Sequence, residues 1–153
     1  MSLPFYTADD VRAAVSMQDA INAMELAFSS ISNGNALVPQ RINLPIDGFN
    51  AHHLSMPSYL KEGKYITIKL INVNHDNPSN GLDLINGVIV VMSAKNGECL
   101  ALIDGQYVTA LRTGAASGLA TKLLSNANAT RAVIFGNGQQ AQTQIEAIRC
   151  VRD

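Results

Sequence analysis

The chain opens with two stretches of helical period and then changes to a period of two. Thr7-Ala8-Asp9-Asp10 has the composition of a helix N-cap followed by acids in the first turn, and Ser16-Met17-Gln18-Asp19 repeats it. After the second start, Ala20, Ile21, Met24, Ala27, Phe28 and Ile31 recur at the spacing of one helix face, and Asn33-Gly34 supplies a left-handed stop. From Pro39 to Val73 apolar and polar residues alternate, which predicts strands near 41–44, 52–56 and 65–73. In the third strand Ile66, Ile68 and Leu70 fall on one face and Tyr65, Thr67, Lys69 and Ile71 on the other, so Lys69 shares a face with apolar neighbours. An exposed lysine on a half-wet sheet would give the same pattern.

Residues 74–83 hold Pro78, Gly81 and three asparagines, a loop composition. Two apolar runs between 87 and 103 flank Lys95-Asn96-Gly97-Glu98, where Asn-Gly suits a type I′ hairpin turn. A helix is predicted over about 107–124, rich in Ala110, Gly114, Ala115, Ala116, Ser117, Gly118 and Ala120. A glycine inside a helix costs up to ~1 kcal/mol relative to alanine, so Gly114 and Gly118 imply close packing of backbone or ligand on that face. Arg112 is placed near the start of this helix, where a guanidinium and the positive end of the dipole would act together on an anion; a surface salt bridge is the alternative. Residues 125–130 form a polar connector and the only candidate boundary, which divides the chain into domains 1–128 and 129–153. Arg131-Ala132-Val133-Ile134-Phe135-Gly136-Asn137-Gly138-Gln139-Gln140-Ala141 then reads as strand, tight turn and helix. That order fits the dinucleotide fingerprint G-x-G-x-x-G/A, with Gly136 for the turn, Gly138 for close approach to a pyrophosphate and Ala141 for close helix packing; an ordinary strand-to-helix turn also fits.

Composition narrows the field. The 153 residues are 47% hydrophobic and 15% charged with a formal net charge of -1, enough for one core and without a basic run for nucleic acid or an anionic membrane. No apolar run approaches the ~20 residues needed to span a bilayer, and Met1-Ser2-Leu3-Pro4-Phe5 is not a signal peptide, so a cytoplasmic protein is expected. Cys99 and Cys150 make neither a disulfide framework nor a C-x-x-C pair and are expected to be small buried hydrophobes. Asn128-Ala129-Thr130 matches a glycosylation acceptor, a match taken as accidental without a secretory signal. His52, His53 and His75 lack the spacing of a metal site, and none is expected.

Asp104-Gly105-Gln106-Tyr107-Val108-Thr109-Ala110-Leu111-Arg112-Thr113-Gly114-Ala115-Ala116-Ser117, followed by Gly136-Asn137-Gly138-Gln139-Gln140-Ala141-Gln142-Thr143-Gln144, closely resembles the ornithine cyclodeaminase and mu-crystallin family. Val38-Pro39-Gln40-Arg41, Ser55-Met56-Pro57-Ser58-Tyr59-Leu60, Ile68-Lys69 and Asn86-Gly87 agree in order with the N-terminal region of that family. The resemblance implies an α/β fold: a mixed, largely antiparallel substrate and dimerisation domain, then the first βα unit of a Rossmann domain. It also implies a homodimer formed through the N-terminal sheet. By the same resemblance Arg41, Lys69 and Arg112 bind the carboxylate of a small amino acid or cyclic imine. Lys69 is also assigned a catalytic part. Arg112, Thr113, Gly136, Asn137, Gly138, Gln139, Gln140 and Ala141 would face NAD or NADP. The implied reaction is oxidation at Cα; in the cyclodeaminase the hydride then returns to give L-proline and ammonia, while other members dehydrogenate amino acids or reduce cyclic imines. A non-catalytic binding protein of the mu-crystallin type, or an inactive remnant, is the alternative.

Three departures from the family pattern bear on this expectation. Leu54 and Ser55 stand where ornithine enzymes carry an acid for the distal ammonium, and Leu84 stands where many members have threonine. The acids that would serve catalysis and bind the ribose lie beyond Asp153, so the chain is expected to be part of a longer protein.

Overall fold

A computed structural model describes residues 2–152; Met1, Asp153 and the side chain of Gln139 lie outside the described residues. Strand β1 (Phe5–Tyr6) leads into helices α1 (Ala8–Ala14) and α2 (Met17–Ser32). Six strands follow: β2 (Ala36–Leu37), β3 (Ile42–Ile46), β4 (Ala51–Leu60), β5 (Tyr65–Asn74), β6 (Ile85–Ser93) and β7 (Cys99–Asp104). Helices α3 (Gly105–Leu124) and α4 (Gln139–Val151) complete the order. Both predicted helix starts form as capping boxes, in which Thr7 and Ser16 accept from the amides of Asp10 and Asp19 while those carboxylates accept from the cap amides. The cap hydroxyl first, and the cap amide second, hold both carboxyls below the ordinary aspartate range. Gly34, at φ +71°, ends α2 as expected.

The strands form one sheet in the order β1-β7-β6-β5-β4-β2, with β3 beside β4 on the same edge as β2. Every pairing is antiparallel except β1 with β7. The fold is thus mixed α/β with a largely antiparallel sheet, as expected. Directly opposed residues share a face, so the register Met56↔Lys69↔Ile89 places these three side chains together. Helix α3 packs against β5 and β6, α1 against β7 and α2 against β2. On the other face Ile66, Ile68 and Leu70 oppose Met92, Val90 and Val88, a half-buried apolar surface.

Helix α3 is the hub, with Gly105, Thr109, Ala110, Leu111, Gly114, Ala115, Gly118 and Leu119 all buried. The main core joins Met17, Ala20 and Ile21 of α2 with Leu111, Ala115 and Leu119 of α3 and Ala147 of α4. The space left by the small residues of α3 is taken by the backbone of α4 at Gly114 and by the small side chain of Ala147, with Ile21, at Gly118. A Cβ on Gly114 would lie 2.5 Å from the carbonyl oxygen of Thr143, and one on Gly118 would lie 2.9 Å from the Cβ of Ala147. The Thr143 hydroxyl crosses the same seam to donate to the Ala110 carbonyl at 3.0 Å. At the far end Arg152 donates to the carbonyls of Thr121 and Lys122 at 3.0 and 3.3 Å and to the Ser125 hydroxyl at 2.8 Å. One guanidinium therefore meets two carbonyls of the last turn of α3.

Five expectations are corrected. The β6–β7 hairpin forms, but residues 94–97 make a four-residue loop closed by Gly97 N–H to Ser93 C=O at 2.9 Å and Ser93 N–H to Glu98 C=O at 2.9 Å. In this loop only Gly97 takes a left-handed φ, whereas a type I′ turn needs Asn96 there too. Helix α3 begins two residues early because the Asp104 side chain caps the Tyr107 amide, which puts Arg112 more than two turns inside, beyond reach of the terminal dipole. Residues 131–135 are not a strand: Val133 is 77% and Phe135 96% exposed, and this run has no ladder partner among the described residues. A buried parallel strand needs neighbours on both sides, so apolar composition alone does not form one. Cys99 and Cys150 are exposed rather than buried. Phe28 and Ile31 continue the apolar period of α2 yet are about half exposed, because α3 covers only the first part of the helix. No helix among the described residues is long and apolar enough to cross a membrane.

The α3–α4 seam makes a prediction against helix propensity. Gly114→Ala gains up to ~1 kcal/mol of propensity. It forces a methyl group onto the Thr143 carbonyl, and overpacking of this kind costs about 1–3 kcal/mol. A net loss of stability is expected, read as a lower urea midpoint at unchanged slope.

Candidate active site

Three basic side chains from separate parts of the chain meet over the helix-covered face of the sheet. Arg41 stands immediately before β3, Lys69 lies mid-way along central strand β5, and Arg112 projects from the eighth residue of α3. All three line one cleft of about 770 Å³, roofed by Met24, Ala27 and Ile31 of α2 and floored by Met56 and Ile89. Lys69 is half-buried, whereas Arg41 and Arg112 are exposed. Burial first, and the neighbouring Arg112 second, push the Lys69 amine below its ordinary value. No Asp or Glu lines the cleft, and among the described residues none of the three cations has an ion-pair partner. Converging cations without counter-charge create a site whose repulsion an anion relieves, and two guanidiniums beside an ammonium suit a carboxylate. Lys64, in the turn before β5, adds a fourth cation to the wall. No periodicity or motif in the sequence singles it out.

A second cleft, of about 880 Å³, opens at the glycine turn and is lined by Leu84, Gln106, Gly136, Gly138, Gln140 and Ala141, among others. Gly136 turns the chain at φ +96°, and Gly138 caps α4 without a side-chain acceptor. The Ala141 amide donates to the Gly138 carbonyl at 2.9 Å, which leaves the amides before it to an outside acceptor, and space beside Gly138 is open, with no atom within 4 Å of a Cβ placed there. This donor set suits a pyrophosphate. The loop over residues 74–83 closes the far side: Asn77 and Asn86 donate to the Asp83 carbonyl at 2.7 and 3.2 Å, and Asn80 donates to that of Asp76 at 3.0 Å. Arg112 lies in the cation cleft and not here, and neither Thr113 nor Asn137 lines either cleft among the described residues. The Thr113 hydroxyl instead donates to the Thr109 carbonyl at 2.7 Å, within its own helix. The side chain of Gln139 lies outside the described residues.

The depressed Lys69 amine gives a pH dependence with a definite sign. The folded state binds this proton less tightly than the unfolded state, so the penalty of burying the charge is fully present below the lowered folded value. It disappears as pH rises toward the ordinary lysine value of 10.5. Lys69→Met is therefore expected to be more stable than wild type at pH 7, by less than ~1 kcal/mol for a half-exposed amine, with the advantage shrinking by pH 10. Urea unfolding at both pH values measures this. Carboxylate affinity should show the opposite sensitivity, weakening in the alkaline range as the ammonium is lost.

Comparison with known proteins places this geometry in context. Residues 3–153 match the ornithine cyclodeaminase/mu-crystallin family. A Δ1-pyrroline-2-carboxylate reductase of Bacillus cereus is 37% identical over 147 residues, which are 96% of this chain and 45% of that protein. The solved Δ1-pyrroline-2-carboxylate reductase of Thermococcus litoralis, in complex with NADH and L-proline, superposes with a TM-score of 0.92 at 37% identity, covering 98% of this chain and 46% of that one. An archaeal alanine dehydrogenase dimer with bound NAD gives 0.91 at 34% identity, covering 99% and 46%. The chain thus spans about half the length of these relatives, and it belongs to the ornithine cyclodeaminase/mu-crystallin family.

Proposed function

We propose that this chain provides the carboxylate-binding half, and the opening of the cofactor site, of an NAD(P)-dependent enzyme acting at Cα of a small L-amino acid or cyclic imino acid. The convergence of Arg41, Lys69 and Arg112 on one cleft without counter-charge carries this reading. Each residue has a distinct part. Arg41 and Arg112 grip the carboxylate, and Lys69 adds charge beside it; burial and the neighbouring Arg112 ease the loss of its proton, which suits it to exchange one with the substrate. A clamped carboxylate fixes Cα, so that positioning supplies much of the rate. The backbone amides that open α4, with Gly138 and Ala141, would hold the cofactor pyrophosphate. The cofactor, when bound, supplies the hydride acceptor or donor.

Among family reactions, amino-acid dehydrogenation and cyclic-imine reduction stand before ornithine cyclisation. The cleft lacks a carboxylate for a second ammonium, and the relatives above are reductases or dehydrogenases of substrates without one. The half-buried apolar face formed by Ile68, Val90 and their neighbours supports a homodimer through the sheet.

Three experiments test this reading. Titration with NADH should change cofactor fluorescence at sub-millimolar concentration, and Arg112→Ala should weaken amino-acid binding roughly 10–100-fold, the worth of one charge-assisted contact at an exposed site. NADH binding together with amino-acid binding that Arg112→Ala leaves unchanged would favour a non-catalytic cofactor-binding protein. For assembly, Ile68→Lys should move the sedimentation coefficient from dimer to monomer while leaving the far-ultraviolet dichroism intact.

A further inference from the structure

The groove under α2 does not end at the cation cleft. Met24, Ala27 and Ile31 face Lys69, whereas one turn back Ala20 and Ala23 face a second chamber of about 330 Å³, at the small end of the range for ligand pockets. Val11 of α1, Ile103 of β7 and Leu111 of α3 are among its other walls. Met24 and Arg112 are walls of both spaces. Apart from Arg112, the polar side chains at the chamber are Tyr6 and Asp10, and one oxygen of the Asp10 carboxylate, Oδ2, accepts from the amide and hydroxyl of Thr7 at 2.8 and 2.7 Å.

We infer that this chamber receives the side chain of the substrate, and that the substrate class is α-amino or α-imino acids with an aliphatic chain of several carbons. The inference rests on the carboxylate-clamp reading. Arg112 borders both spaces, so a ligand whose carboxylate meets its guanidinium has Cα at the waist, and its side chain passes Met24 into the apolar side. Alanines at 20, 23 and 27, the smallest side chains a regular helix accepts without a glycine penalty, keep that passage open along α2. A methylene entering the chamber leaves water for apolar surface, worth roughly fourfold in affinity. A distal ammonium entering the apolar side would lose part of its hydration, and the one carboxylate at the chamber, Asp10, already accepts two hydrogen bonds from Thr7 through Oδ2.

Calorimetric titration of the purified protein with L-alanine, L-norvaline, L-norleucine and L-ornithine tests this. Affinity should rise with each methylene from alanine to norleucine. Ornithine, which is norvaline with a terminal ammonium, should bind at least tenfold more weakly than norvaline. Ala23→Leu places a larger side chain in the chamber and should lower the norleucine-to-alanine affinity ratio at least tenfold; Ala14→Leu, from the α1 side, should lower it in the same direction. Norleucine no tighter than alanine, ornithine as tight as norvaline, or a ratio unmoved by both variants would overturn the chamber assignment while Arg112-dependent alanine binding kept the clamp. Failure of every amino acid to bind would overturn the clamp and this inference together.

Discussion

The contact on which the rest of the structure depends is the close approach of α3 and α4, where Gly114 meets the backbone of Thr143. Helices whose side chains intervene pack about 8–10 Å apart. Removing the Cβ at 114 lets the backbone of Thr143 become the contacting surface, and removing it at 118 makes room for Ala147. The Thr143 hydroxyl and the Arg152 guanidinium then fasten the two helices at separate heights along α3. Since α3 also packs on β5 and β6, the glycine turn at the start of α4 is referred, through one helix, to the strand that carries Lys69.

The cation cleft shows a tension between stability and chemistry. A lysine on a central strand, flanked by Met56 and Ile89 and repelled by Arg112, is a local cost that a methionine would avoid. Marginal stability leaves little room for such costs unless they serve binding, and perturbed titration inside a cleft is a common mark of a functional group. The acids of the N-terminal helices illustrate the opposite case. Asp10 and Asp19 each give one carboxylate oxygen to a capping box, where the charge favours the helix start.

Local chemistry made much of this readable from the chain. Thr7 and Ser16 announce helix starts because the partner of each cap is three residues away, and the alternation through Tyr65–Asn74 fixes which face Lys69 occupies. The small residues of α3 signalled close packing, although the pattern could not say whether backbone or ligand filled the space. What failed depended on distant partners. Val133 and Phe135 have strand composition but no neighbouring strand among the described residues, and Cys150 looks apolar in sequence but faces outward on α4. The convergence of the three cations was visible only through family resemblance: Arg41, Lys69 and Arg112 share no local pattern, and the sheet register and the depth of Arg112 in α3 bring them to one cleft. Lys64 and the alanine-lined groove of α2 left no sequence signal, because each acquires meaning only from the surface opposite it.

Helix α3 also works as a ruler. Gln106 borders the cleft at the glycine turn and Arg112 borders the cation cleft, six residues farther along the same rigid rod. At 1.5 Å of rise per residue these markers stand ~9 Å apart along the axis. Any ligand pair that uses both clefts at once must bridge that interval, and because the rod is packed on three sides, the length is a fixed property of the fold that a substrate or cofactor must match.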